Sequence, residues 1–198
     1  MSAIVLEKLK SQFGAAIVET GTSHGDEFAV VEPSKWHDVA KFLRDDAACD
    51  MSLFIDVTAV DYPTRTPRFE VVMHLCSLHK GHRIRVKARI DEGSKGEPPA
   101  IRSVADVWAG ANWMEREAWD MFGVKFEGHP DLRRILLYEE FEGHPLRKDY
   151  QAQHTQPLVP YRPEAQDKLP PFRHDEGMPF GRNDWRPKKT AWGDDGAS

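Results

Sequence analysis

The chain has 198 residues, 40% of them hydrophobic, with 27 Lys and Arg against 32 Asp and Glu and a formal charge of -5. That is enough apolar material for one sizeable core, and there is no basic excess of the kind nucleic acid selects. No apolar run approaches the ~18 residues a membrane helix needs, and Met1 to Phe13 has the layout of neither a signal nor a transit peptide, so the chain is expected on the cytoplasmic side, linked to a membrane only through partners.

Taken in order, Ile4 to Phe13 places Leu6, Leu9 and Phe13 on one helical face, with Ser2 as a cap and Gly14 as a stop. Ala15 to Thr20 and Glu27 to Glu32 read as short strands around the loop Gly21 to Gly25. That loop, GTSHG, matches the G-x-S-x-G pattern of a hydrolase nucleophile at Ser23, but the pattern requires a helix after the serine and a strand follows here. Pro33 opens a helix with Trp36, Val39, Ala40 and Leu43 on one side and His37 on the polar, solvated side.

From Met51 the period changes to two. Leu53, Ile55, Val57 and Ala59 alternate with their neighbours, as do Phe69, Val71, Met73 and Leu75, and then Ile84, Val86, Ala88 and Ile90. Short links between these three strands favour an antiparallel sheet with one face on the core. In the third strand Arg83, Arg85, Lys87 and Arg89 share the other face. They either keep an exposed strand soluble or meet an acidic partner. His74, His79 and His82 gather near the preceding turn without a recognisable metal-ligand spacing. Cys49 and Cys76 are the only cysteines and form no CxxC. An iron–sulfur cluster usually takes four, so the chain is not expected to hold one by itself, and two buried free thiols of a reducing compartment are expected, with a disulfide as the minor reading.

After the polar loop Glu92 to Pro99, Ser103 to Trp108 reads as a short helix and Trp113 to Phe122 as a longer one. The latter has Asn112 as its cap and Gly123 as its left-handed end. Arg116, Glu117 and Asp120 form a charged face, with Arg116 and Asp120 one turn apart. Glu115 falls on the apolar side instead, where a carboxylate needs a cation or hydrogen-bond donors; Arg133 and Arg134 are the nearest candidates. The pentapeptide FEGHP then occurs at Phe126 to Pro130 and again at Phe141 to Pro145. Asp131, Arg133 and Arg134 follow the first copy, and Arg147, Lys148 and Asp149 follow the second. Glycine before and proline after each histidine put His129 and His144 in defined loops. Each is as readily bonded to nearby backbone as placed for acid–base work.

From Gln151 onward seven of the chain's 14 prolines occur with no sustained periodicity. Tyr161, Phe172, Phe180, Trp185 and Trp192 are spread along this stretch with Arg162, Arg173, Arg182 and Arg186. Aromatic and arginine anchors on a proline-stiffened backbone suit a segment that orders on a partner. Residues 1–150 are thus expected to form an α+β domain, helices on a largely antiparallel sheet, and residues 151–198 an extended arm.

The run EREAWDMFGV, then FEGHPDLRRILL, then EGHPLRKDY, with FIDVTAVDYP and DVWAGANW upstream, resembles the 30 kDa, or C-type, subunit of proton-translocating NADH:quinone oxidoreductase, respiratory complex I. Tyr138 departs from the proline such a chain has after RRILL. The resemblance implies a cofactor-free structural subunit of the peripheral arm, on the cytoplasmic face of a bacterial inner membrane. It implies FMN and iron–sulfur clusters in partner subunits, contact with the quinone-site subunit and the Fe–S subunits, and a C-terminal arm on a neighbour. Related hydrogenase and dehydrogenase complexes share this subunit type. Apart from the resemblance, a stand-alone hydrolase using Ser23, His129 or His144 is the competing class.

Overall fold

The structure is a computed structural model that describes residues 3–93 and 96–159. The chain divides into two units, Met1–Pro157 and Leu158–Ser198, and the elements below belong to the first. The anchors Tyr161, Arg162, Phe172 and Trp185 lie outside the described residues.

Helix α1 (Ala3–Phe13) is followed by a 3-10 turn over Gly14–Ala16 and the strands β1 (Ile17–Ser23) and β2 (Asp26–Val31). Strand β1 runs three residues past its expected end and β2 starts one residue earlier than expected, because the turn between them is only His24 and Gly25, both at positive φ (56° and 88°). That conformation matches the twist of a two-residue hairpin. GTSHG is therefore mostly strand, with Ser23 as the last residue of β1. Pro33 starts a 3-10 turn and α2 (Trp36–Asp45) continues it. Trp36, Val39, Ala40 and Leu43 are all fully buried, the 3,4-spaced stripe of a core-facing helix.

Strands β3 (Leu53–Asp61), β4 (Phe69–Cys76) and β5 (Arg83–Ile90) form an antiparallel meander. The five-stranded sheet has order β1-β2-β5-β4-β3, with β2 and β5 parallel, so the fold is α+β on a mixed, mostly antiparallel sheet. Two expectations are corrected here. The cationic strand is central, flanked on both edges, and not an exposed strand. Lys87 Nζ donates to Glu70 at 2.8 Å and Arg89 Nη2 to Glu19 at 2.7 Å, so these cations are matched by neighbouring strands. Leu53 and Ile55, read as core, are 39% and 44% exposed, because the pairing of β3 with β4 shifts register between Phe54 and Asp56, and Phe54 packs against the core in their place.

Two short strands, β6 (Ala100–Arg102) and β7 (Lys125–Glu127), pair in parallel on either side of α3 (Ala111–Phe122). The helix expected over Ser103 to Trp108 is only a turn, in which the Val107 and Trp108 N–H groups both reach the Val104 carbonyl. Ser103 is held instead at the end of β6, its N–H donating to Glu127 O at 2.9 Å. His37, expected in solvent, is buried, with Nε2 2.9 Å from Asp106 Oδ2. Cys49 is buried and Cys76 half-buried, both free; burial pushes the Cys49 thiol up to about 12. Among the described residues, no helix is long and apolar enough to cross a membrane.

Candidate functional site

The charged signature residues surround α3, which begins two residues before its expected start. Gly110 is the N-cap and Asn112 lies inside the helix, so Asn112 is not the cap. Gly123 ends the helix at φ 76°, as its sequence position indicates. A Cβ there would sit 2.6 Å from the His144 ring, so the same glycine also gives the second FEGHP loop its seat.

Asp120 is the hub. Its carboxylate is fully buried, yet Arg134 Nη1 donates to Oδ1 at 2.6 Å and the N–H groups of Ile135, Leu136 and Leu137 donate to Oδ2 at 3.1, 2.8 and 2.9 Å. Burial alone would raise this carboxyl, but the three N–H groups and the guanidinium outweigh it and hold the group below the ordinary carboxylate value. Arg134 then donates from Nη2 to the Phe141 and Gly143 carbonyls at 2.8 and 2.9 Å. His144 Nδ1 lies 3.0 Å from the Asp120 carbonyl, its ring edge-on to Trp119 at 5.4 Å. Burial lowers the His144 pKa and favours the neutral ring.

Arg116 does not pair with Asp120 along the helix. It donates to the Arg133 and Arg134 carbonyls at 3.1 and 3.0 Å, clamping the chain that Asp120 holds from the other side. The face read from sequence as charged is thus largely buried beneath residues 131–147, and Glu117 alone of its three residues is exposed. Arg133 pairs with Asp131 at 2.9 Å on the surface.

Glu115 is fully buried, and neither arginine satisfies it. The Ser103 hydroxyl donates to Oε2 at 2.6 Å and the Val104 N–H to Oε1 at 2.7 Å. Burial pushes its pKa up to about 7, more than these two donors pull it down. His129, from the first FEGHP loop, lies 4.0 Å from Oε2 with its imidazole buried. Its Nε2 meets the Asn112 carbonyl at 3.1 Å, and its Nδ1 accepts the Asp131 N–H at 3.0 Å.

A second cluster ties the end of the signature to the sheet. Asp61, buried at the end of β3, takes a bidentate contact from Arg68 at 2.7 and 2.8 Å and the Lys148 N–H at 2.7 Å. The Arg68 contact leads in holding the Asp61 carboxyl low. Arg68 also reaches Asp149 at 3.0 Å. Arg147 bonds both Asp149 oxygens at 3.1 Å and pairs with Glu92. The Arg147 contact leads in driving Asp149 far below the usual carboxylate range. Lys148 contributes its backbone, its side chain being exposed. Sequence reading missed Asp61, Arg68, Glu92 and Ser103. Asp61 was visible, since it continues the inward positions Val57 and Ala59 with a carboxylate.

The structure therefore brings Glu115, Arg116, Asp120, Arg134, His129 and His144 together around α3, and Arg147, Lys148 and Asp149 around Asp61, in two separate networks. Among the described residues no group of three or more His, Cys, Asp or Glu is placed to hold a metal ion. Ser23 Oγ is 3.0 Å from His24 Nδ1 on an exposed hairpin end.

The sequence matches the family described as "Respiratory-chain NADH dehydrogenase, 30 Kd subunit" over residues 29–156. It is 44% identical over 164 residues to the second C-type subunit of NADH-quinone oxidoreductase of Rhizobium etli, covering 83% of this chain and 80% of that protein. With the C-type subunit of NADH-quinone oxidoreductase of Hyphomonas neptunium it shares 56% over 110 residues, 56% of this chain and 52% of that one. In fold it is similar to a chain in the structure of the membrane-bound sulfane sulfur reductase, an archaeal respiratory membrane complex, with TM-score 0.64 and 23% identity, over 88% of this chain and 96% of that one. The matched span takes in both charge networks and both FEGHP loops, and the chain belongs to the respiratory-chain NADH dehydrogenase 30 kDa subunit family.

Proposed function

We propose that this chain is a cofactor-free structural subunit in the peripheral arm of a proton-translocating NADH:quinone oxidoreductase. In this reading electrons pass from NADH through FMN and iron–sulfur clusters held by partner subunits to quinone. The chain supports assembly with the quinone-site subunit and the Fe–S subunits, and lies peripherally at the cytoplasmic face of the bacterial inner membrane. The observation that carries the reading is where the signature residues point. Asp120, Arg116, Arg134, Arg147 and Asp149 each bond this chain's own backbone or side chains, so their chemistry holds residues 131–150 in one conformation. The names of the relatives support the assignment to the enzyme complex. Residues 151–198, with Tyr161, Arg162, Phe172 and Trp185, are proposed as the arm that meets a neighbouring subunit.

Purifying the tagged full-length chain from membranes of its own organism tests this. The expected result is co-elution with flavin- and cluster-containing subunits and NADH:quinone activity in the same fraction. Elution of the chain alone, from membranes that retain that activity, would overturn the reading.

A further inference from the structure

We propose that Glu115 and His129 form a proton-responsive latch that fastens the first FEGHP loop to α3 and loosens as pH rises through neutrality. The latch goes beyond the role in the complex, since it depends only on groups of this chain.

Two fully buried titratable side chains from different elements face each other at 4.0 Å. The contact lies where three segments meet. Glu115 belongs to α3, its two donors Ser103 and Val104 to the turn after β6, and His129 to the loop after β7. The charged groups nearby are committed elsewhere. Arg116 and Arg134 reach loop carbonyls and Asp120, and Arg133 pairs with Asp131. Asp106, the remaining charge felt by Glu115, is negative, pushes the Glu115 pKa upward, and pairs with His37. Glu117, Glu127, Lys125 and Arg102 are exposed. Among the described residues no cation stands ready for an ionised Glu115, so burial favours its protonated form, in agreement with a pKa pushed up to about 7.

The hydrogen bonds fix where the proton sits. His129 Nδ1 accepts the Asp131 N–H, so the ring is neutral, with its hydrogen on Nε2 toward the Asn112 carbonyl. The titrating proton of the pair is therefore that of Glu115, whose burial favours the protonated form. The 2.6 Å contact with Ser103 Oγ serves either state, because a protonated carboxyl donates to Oγ and a carboxylate accepts from it. Loss of the proton leaves a buried carboxylate against a neutral imidazole. Its field then draws the Nε2 hydrogen away from the Asn112 carbonyl, which breaks a bond that seats the loop.

The sign follows from linkage. A carboxyl whose folded pKa is raised from 4.5 to about 7 binds its proton more tightly when folded, so its contribution to stability falls between those values and is lost above the higher one. The test is hydrogen exchange of residues 126–131 in the full chain from pH 6 to pH 8, corrected for intrinsic exchange and compared with Glu115→Gln. Protection in the wild type is expected to drop about tenfold more than in the variant. Parallel profiles would overturn the proposal. If Glu115→Gln fails to fold, infrared spectra of the wild type labelled with 13C-glutamate decide. A protonated-carboxyl band present at pH 6 and gone by pH 8 supports the latch, and its absence at pH 6 overturns it.

Discussion

Asp120→Ala is expected to lower the unfolding free energy of the isolated chain by about 3–5 kcal/mol, the cost of stranding a buried charge whose partner has been removed. The side chain accepts from Arg134 and from three consecutive N–H groups, so its loss orphans four donors in a region with few alternatives. Asp120→Asn keeps the shape and one acceptor oxygen, and is expected to recover part of the loss. Arg134→Ala removes the charge partner and two carbonyl contacts but leaves the N–H donors in place, so it should fall between them. Equilibrium urea unfolding of the three variants gives the ranking. Equal midpoints for Asp120→Ala and wild type would show that the contacts around α3 do not hold residues 131–147.

The second large effect is expected at Asp61. Asp61→Ala leaves Arg68 without its bidentate partner and the Lys148 N–H without an acceptor, at a cost of about 3 kcal/mol. Asp149 remains beside Arg68 at 3.0 Å and softens the loss, which is why this variant should be milder than Asp120→Ala. Both carboxylates have folded pKa values below their ordinary ones. The stability they supply is therefore fully present above the unfolded carboxylate value and is lost as pH falls through the folded value. Acid unfolding should begin at a higher pH in Asp61→Asn than in wild type, measured by circular dichroism at fixed ionic strength. An unchanged acid midpoint would contradict the role given to Asp61.

How far this architecture was legible depends on the range of the interaction. Helix α2 was readable because Trp36, Val39, Ala40 and Leu43 repeat at the helical period, β5 because its alternation is unbroken, and β4 because Phe69, Val71, Met73 and Leu75 recur at period two. The parallel pairing of β2 with β5 was not readable, since more than fifty residues separate Val31 from Arg83 and period-two alternation says nothing about which strand lies alongside. The same limit governed the charges. Sequence reading correctly placed Glu115 on the apolar side of α3 and its need for donors followed. Nearness along the chain then pointed to Arg133 and Arg134, whereas the donors came from Ser103 and Val104 upstream, brought in by the pairing of β6 with β7. Arg116 and Asp120 stand one turn apart, but the covering loop offers each better partners than they offer one another. His37 was misread because Asp106, its partner, lies 69 positions away.

The two FEGHP copies share a glycine at positive φ, 82° at Gly128 and 86° at Gly143, and each histidine bonds a carbonyl of α3, that of Asn112 for His129 and that of Asp120 for His144. The repeat thus fastens one helix near both of its ends. The geometry is that of a chain whose charged residues organise its own fold.

Hydrogen exchange across residues 131–150 of the isolated chain, purified without partners, measures that claim most directly. Strong protection at Ile135, Leu136 and Leu137, lost in Asp120→Ala, is the predicted result. Exchange there at the rate of an unfolded peptide, slowing only when other subunits are added, would mean that the order of this region is supplied from outside the chain.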